Sequence, residues 1–229
     1  MSQVQILNAV LFDVDGVIVE SELLHLATFN ETLASLGITI SETDWRHRFV
    51  GKGSEFIMKT LFSEHNISED VKPWINRRRI VYQQHVAKGE LKPIPGFLSF
   101  YASIIKEKLE ICFVSTGHPS NIAAALRTLG LDGKHPVVDV TQVKRIKPDP
   151  EAYLLGAKIL QVNPINCLVF EDSPIGIAAA KAAGMSCVAL TTSNSSDELR
   201  AADLIIPNYQ NWTIKMILSK LNRDLPETG

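Results

Sequence analysis

Runs of β-forming apolar residues recur along the chain with little polar alternation through them: AVLF at residues 9–12, EICFV at 110–114, CLVF at 167–170 and CVAL at 187–190. A strand with one wet face alternates apolar and polar positions, so these runs read as strands buried on both faces, the habit of parallel sheets. Helical periodicity fills the intervals at residues 97–108, 119–130, 150–160 and 174–183. Short strand patterns lie at 137–138 and 204–206, and a last helix at 212–221. Such alternation predicts an open α/β sheet, Rossmann-like, with right-handed crossovers and helices on both faces.

One interval breaks the pattern. Leu23, Leu26, Ala27, Leu33 and Leu36 recur near a period of 3.6, and Gly37 stops them. Ser41 to Asp44 suits a helix cap, Gly51-Lys52-Gly53 breaks the chain before a helical stretch at 55–62, and residues 71–88 form an amphipathic helix ended by Gly89. The proline-rich LKPIPG at 91–96 then reads as a linker. The expected organisation is an α/β core from residues 1–18 and 92–229, interrupted by an all-helical insertion at 19–91.

Composition narrows the partners. With 229 residues and 45% apolar content, the chain buries a substantial core. A formal net charge of −2 with interspersed signs gives no footprint for nucleic acid or an anionic membrane. Small solutes are the expected partners. Cys112, Cys167 and Cys187 lie inside apolar runs without paired spacing, which fits reduced core thiols and a cytoplasmic setting. The N-terminal MSQVQILNAV has no basic segment or small-residue cleavage site, and no apolar run approaches the ~20 residues of a membrane span. Neither secretion nor membrane insertion is expected.

Ligands of open α/β sheets gather at the carboxyl ends of the strands. The first run, read as a strand to Val14, meets Asp13 and Asp15 there, two apart and so on one face if the strand stays extended. Paired carboxylates require a cation between them or a retained proton. Gly16 lets the chain turn sharply just after them. The EICFV run ends in Ser115-Thr116-Gly117, Lys147-Pro148 precedes a helix, and CLVF ends in Glu171-Asp172-Ser173. Acid, hydroxyl, cation and acid make a phosphate and metal inventory. Asp13, Asp15 and Asp172 supply hard oxygen ligands of the kind Mg²⁺ takes, and Ser115 and Lys147 suit phosphoryl oxygens.

In sequence order the pieces DVDGV (13–17), VST (114–116), KPDP (147–150) and FEDSPIG (170–176) resemble the motifs of the haloacid dehalogenase superfamily, over almost the whole chain. The helical insertion resembles the four-helix cap of its β-phosphoglucomutase-like subgroup. The resemblance implies a Mg²⁺-dependent phosphatase acting on a small phosphorylated metabolite, a sugar phosphate foremost, with phosphomutase chemistry as the alternative. Asp13 is then the nucleophile and Asp15 the acid and base, the latter offering its carbonyl to the metal. Ser115, Thr116 and Lys147 bind phosphate, Asp172 is a metal ligand, and Glu171 reaches the metal directly or through water. Ser21, His25, Lys52 and Arg78 align with cap positions that contact substrate. One departure counts against the mutase: where the mutases carry an arginine in the cap loop for a second phosphate, this chain has Ser54. Retention of both aspartates argues against a silent binding module, and Asp15 against the halide-cleaving branch. A monomer with hinges near residues 19–20 and 92–96 is the expected form.

Overall fold

The structure, a computed structural model, describes residues 5–226. Met1 to Val4, part of the N-terminal stretch weighed above, lie outside that range. The chain divides into two compact units, one built from the segments up to Glu20 and from Pro93 onward, the other from Ser21–Lys92.

The larger unit begins with β1 (Gln5–Ile6) and β2 (Ala9–Phe12). β2 stops at Phe12, two residues short of the expected end. Asp13 N still donates to Phe170 O at 3.0 Å, but Val17 N and Ile18 N then turn back onto Val14 O, and Gly16 N onto Val19 O at 2.9 Å. Gly16 takes a φ of 72°, a conformation that disfavours any side chain. Asp13 and Asp15 therefore belong to a tight loop, and strand alternation does not set their relation.

In the helical unit α1 (Glu22–Leu33) runs through a short 3₁₀ turn to a left-handed Gly37. The Ser41 hydroxyl accepts from Asp44 N and caps α2 (Glu42–Asp44), which passes into a π-helical turn at Trp45–Phe49. α3 (Ser54–Glu64) and α4 (Val71–Ala87) follow, the latter capped by Asp70. Leu26, Phe29, Leu33, Trp45, Met58 and Phe62 form a core of this unit's own. Each large side chain so buried contributes roughly 2 kcal/mol.

The larger unit resumes with α5 (Phe97–Lys106), β3 (Glu110–Val114), α6 (Pro119–Thr128), β4 (Val137–Val138) and α7 (Glu151–Ile159). Then come β5 (Cys167–Glu171), α8 (Pro174–Ala182), β6 (Ser186–Leu190), β7 (Leu204–Ile206), α9 (Ile214–Leu221) and β8 (Arg223–Asp224). Six strands form one parallel sheet in the order β4-β3-β2-β5-β6-β7, and β1 pairs separately with β8. Strands of two residues leave no periodicity to read, and this small ribbon was not foreseen.

Alternation within the buried strands divides the core. Phe12, Phe113 and Phe170 stack across neighbouring strands and meet Phe97, Phe100 and Tyr209. Leu11, Cys112, Val169 and Cys187 belong instead to a cluster with Tyr153, Ala157, Ile177 and Ala180 from α7 and α8. Gly156 admits α7 to the sheet, since a Cβ there would stand 2.9 Å from Leu11 Cδ2. The three cysteines are free and buried. Among the described residues no helix is long and apolar enough to cross a membrane.

Near the end of α4, His85 Nδ1 lies 2.6 Å from Glu90 Oε2, and Nε2 lies 2.7 Å from Glu31 Oε2. Carboxylates only accept, so both ring nitrogens must donate and the ring carries its proton. The bond to Glu90, then that to Glu31, raise the His85 pKa above its ordinary 6.5. A raised histidine stabilises the fold fully below about pH 6.5 and loses that contribution as pH climbs through the folded value. His85→Gln should accordingly unfold at lower urea than the wild type at about pH 6, with the gap closing at alkaline pH. A gap independent of pH would dismiss the charged clasp.

Candidate active site

The register of the sheet assembles the site. Phe12 pairs with both Phe113 and Phe170, so the next residues along, Asp13, Val114 and Glu171, stand level at the carboxyl edge. Lys147 enters from the loop before α7. Its Nζ donates to Asp13 Oδ1 at 2.5 Å, to Glu171 Oε1 at 2.8 Å and to Val114 O at 3.2 Å. An ammonium has three hydrogens, and all three are engaged. The Tyr153 ring lies beneath it, 4.8 Å from Nζ to centroid. Glu151 holds the approach to this lysine by accepting from Lys144 N at 2.9 Å and Arg145 N at 3.0 Å. The Lys147–Pro148 peptide is cis.

Glu171 is more heavily engaged than any sequence pattern indicates. Its Oε1 also accepts from Tyr153 OH at 2.7 Å, and its Oε2 accepts from Asp172 N, Ser173 N and Ser173 Oγ at 3.0 to 3.2 Å. Both oxygens are spent within the protein, and direct metal ligation by Glu171 would mean giving up some of these donors. Gly176 makes room for the carboxylate, since a Cβ there would run into it.

The electrostatics follow from burial. Desolvation would push the Glu171 carboxyl up, but the charge and hydrogen bond of Lys147, with the Tyr153 and Ser173 bonds, hold it below the usual carboxylate range. Desolvation would likewise drive the Lys147 ammonium down, and Asp13 and Glu171 overcome this to hold it above the ordinary lysine value. Asp13 is less well compensated. Burial lifts it to about 7, against the pull of Lys147 and with the negative charges of Glu171 and Asp15 adding to the rise.

Around this centre stand the other expected residues of the larger unit. Asp172 is buried, and its carboxylate packs over Gly16, where a Cβ would strike it. Asp15 lies near the loop after β3, with its Oδ2 3.7 Å from where a Gly117 Cβ would be. Ser115 is buried and accepts from Gly117 N at 2.9 Å, whereas Thr116 is exposed. The cap of α6 is neither of these but His118, whose Nδ1 accepts from Ser120 N.

Sequence reasoning passed over several residues here. Asn121 in the first turn of α6 has a buried side-chain oxygen with no partner among the described residues. Tyr153 lay hidden in helical periodicity. Ser193 donates to Asp172 Oδ2, and its segment, TTSN after the CVAL run, is a strand end to which the same reading rule applied.

The helical unit gathers a different set. Arg78 is buried, with Nη2 2.5 Å from His25 Nδ1, Nη1 donating to Ser54 Oγ at 3.1 Å, and its guanidinium 4.5 Å from the Phe29 ring centroid. The His25 ring stacks on Tyr82 at 4.9 Å. Lys52 is exposed beside Phe56, and the buried Ser21 hydroxyl has no hydrogen-bond partner among the described residues, so neither shares that network.

The donor set suits a hard divalent cation. Asp13, Asp15, Glu171 and Asp172 bring four carboxylates to one edge against the single ammonium of Lys147, and burial, with the charges of Glu171 and Asp15 adding to it, raises Asp13 to about 7. Carboxylates together with a backbone carbonyl are oxygen donors of the kind Mg²⁺ takes. Among the described residues no group of three or more His, Cys, Asp or Glu side chains is arranged to hold a metal. The expected set is Asp13, Asp172, the Asp15 carbonyl and Glu171, the last directly or through water; with both Glu171 oxygens engaged within the protein, two carboxylates and one carbonyl remain for direct ligation.

Comparison with known proteins agrees with the motifs. The sequence profile of the haloacid dehalogenase-like hydrolases matches residues 10–190. β-Phosphoglucomutase of Bacillus subtilis is 26% identical over 92% of this chain and 94% of its own. Hexitol phosphatase A of Escherichia coli is 26% identical over 89% of this chain and 92% of its own. The crystal structure of CbbY from Rhodobacter sphaeroides in complex with phosphate superposes with a TM-score of 0.83 at 25% identity, covering 92% of this chain and 98% of that one.

The crowding at Glu171 makes a simple prediction. In Glu171→Gln one amide NH₂ must face donors whichever way it points, toward Lys147 and Tyr153 or toward Asp172 N and Ser173. Breaking a buried pair by removing one partner costs on the order of 3–5 kcal/mol. Urea unfolding of this variant should show a loss of about that size, and a loss below about 1 kcal/mol would mean that the engagement is slack.

Proposed function

The chain belongs to the haloacid dehalogenase-like hydrolase family, and on that premise we propose that it is a Mg²⁺-dependent phosphatase of small phosphorylated metabolites, sugar phosphates foremost. The observation that carries this reading is the asymmetry of the Lys147 cluster. Of the three charged side chains, Asp13 is the most exposed, at 13% against 4% for Lys147 and 1% for Glu171. Glu171 and Val114 O anchor the ammonium from within, and Asp13 is the partner toward which substrate comes.

Each residue then has a task. Asp13 attacks phosphorus in line with the carboxylate oxygen not given to Lys147, forming an aspartyl-phosphate as the leaving oxygen departs. Asp15 gives that oxygen a proton and later removes one from the water that hydrolyses the intermediate. As Asp13 loses its charge to the new bond, the Lys147 hydrogen that it held turns to a phosphoryl oxygen while the other two stay fixed. Ser115 accepts from Gly117 N, so its own proton is the part of the group left to give to phosphate. Asp13, Asp172 and the Asp15 carbonyl would hold Mg²⁺, whose charge would offset that on the transferring group.

A phosphomutase is the second reading, favoured by the similarity to the Bacillus subtilis enzyme along 92% of this chain. Ser54, where the mutases have an arginine, weighs against it. Incubation with Mg²⁺ and a panel of sugar phosphates, followed by phosphate release and phosphorus NMR, separates the two. Free phosphate is the expected product; a migrated phosphate with little release would establish the mutase. Asp13→Asn should reduce turnover by at least about 10³-fold, the scale of losing a covalent nucleophile. Retained turnover would remove Asp13 from that role.

Cation binding should also be linked to protons. With Asp13 held up to about 7, Mg²⁺ must expel a proton from part of the population at lower pH. Calorimetry in buffers of differing ionisation enthalpy should show proton release at about pH 6 and none at about pH 8.5. Heats at about pH 6 that do not vary with the buffer would contradict the raised Asp13.

A further inference from the structure

One residue beyond the end of β6, the consecutive residues Thr192, Ser193 and Asn194 fasten the acidic edge of the sheet from one side. Thr192 Oγ1 donates to Gly16 O at 2.6 Å, Ser193 Oγ donates to Asp172 Oδ2, and Asn194 Nδ2 donates to Asp172 O at 2.8 Å. Three consecutive side chains thus hold the turn that carries Asp13 and Asp15 together with both the backbone and the carboxylate of Asp172. The segment is itself anchored. Thr191 N donates to Ile206 O of β7 at 3.1 Å, and beyond it Ser195 is closed onto Glu198 by two bonds at 2.6 and 2.9 Å. Packing leaves no slack, because a Cβ at Gly16 would strike the Asp172 carboxylate and stand 2.6 Å from Ser193 Oγ. The match to the family profile ends at residue 190, before this segment begins.

We propose that Thr192, Ser193 and Asn194 are positioning residues for the divalent cation, with Ser193 fixing the plane of the Asp172 carboxylate and Thr192 fixing the Gly16 peptide; this rests on the Mg²⁺-phosphatase reading above. The chemistry is that of a ligand held ready. A hydroxyl-to-carboxylate bond is charge-assisted and directional, and it pins one Asp172 oxygen so that the carboxylate does not reorient when a cation arrives. Partners one step removed from a metal typically contribute 10–100-fold to its affinity through the ligands that they orient. Asn194 holds the Asp172 carbonyl and prevents the backbone from rotating the same carboxylate away. These residues need never touch cation or phosphate.

The test is Mg²⁺ binding to the full-length metal-free protein, read by calorimetry and by the rise in melting temperature at saturating Mg²⁺. Ser193→Ala should weaken Mg²⁺ by about 10–100-fold, and Ser193→Thr, which keeps the hydroxyl, should restore most of it. Turnover of Ser193→Ala should recover when Mg²⁺ is raised by the same factor, which a general loss of structure would not allow. Thr192→Val, nearly isosteric, should weaken binding on the order of 10-fold and gives a second reading if Ser193→Ala folds poorly. Unchanged Mg²⁺ affinity in both variants overturns the proposal, as does a fall in melting temperature without a change in affinity. Asp172→Asn separates the two levels of inference. If the wild type binds Mg²⁺ and Asp172→Asn does not, a negative result at Ser193 and Thr192 defeats the positioning role alone; if the wild type itself fails to bind Mg²⁺, both readings fall.

Discussion

A buried ammonium with three fixed acceptors is the contact on which the larger unit depends. Lys147 satisfies its hydrogens on Asp13, Glu171 and the Val114 carbonyl, which come from β2, β5 and β3 or the loops at their ends. A charge taken out of water is tolerable only when it is paired and fully hydrogen-bonded. The requirement ties three strands to one register, because a slip of one residue would turn the alternate set of side chains toward Nζ. Stability and the proposed chemistry therefore share a device: the lysine that locks the strand ends is the one assigned above to the phosphoryl group.

The strands and helices were legible because burial on both faces writes continuous apolar runs. The chemistry was legible because it falls where those runs stop. Three things were not. β2 ends at Phe12 because the turn closing on Val14 outcompetes further pairing, and apolar content past that point records burial rather than strand. Tyr153 obeys helical periodicity as any core residue does, so nothing in its spacing shows the hydroxyl aimed at Glu171. Thr192, Ser193 and Asn194 look like ordinary turn residues, and their role lies in which residues they face across the sheet, which no local pattern encodes.

The helical unit teaches the same lesson on a smaller scale. Arg77, Arg78 and Arg79 are consecutive, and consecutive helical positions are about 100° apart and cannot share one face. Arg78 is the one turned inward, satisfied by His25, Ser54 and Thr28 and laid on Phe29, while Arg77 stays exposed against Trp74. With its own apolar core from Leu26 to Val71, this unit has the makings of an independent folding element.

The strand order also fixes a timetable. Among the described residues Ala9 of the central strand pairs with Glu110 and Cys167, and the whole helical unit lies in sequence between this strand and the first of those partners. During synthesis the segment carrying Asp13 emerges before both of its partners and must wait, apolar and unpaired, until these two later strands have left the ribosome. Long loop closure makes such pairing slow and leaves the waiting strand open to mispairing. The helical unit, which has a core of its own, can fold during that delay, so the edge carrying Asp13 is made before its partner strands and completed only after them.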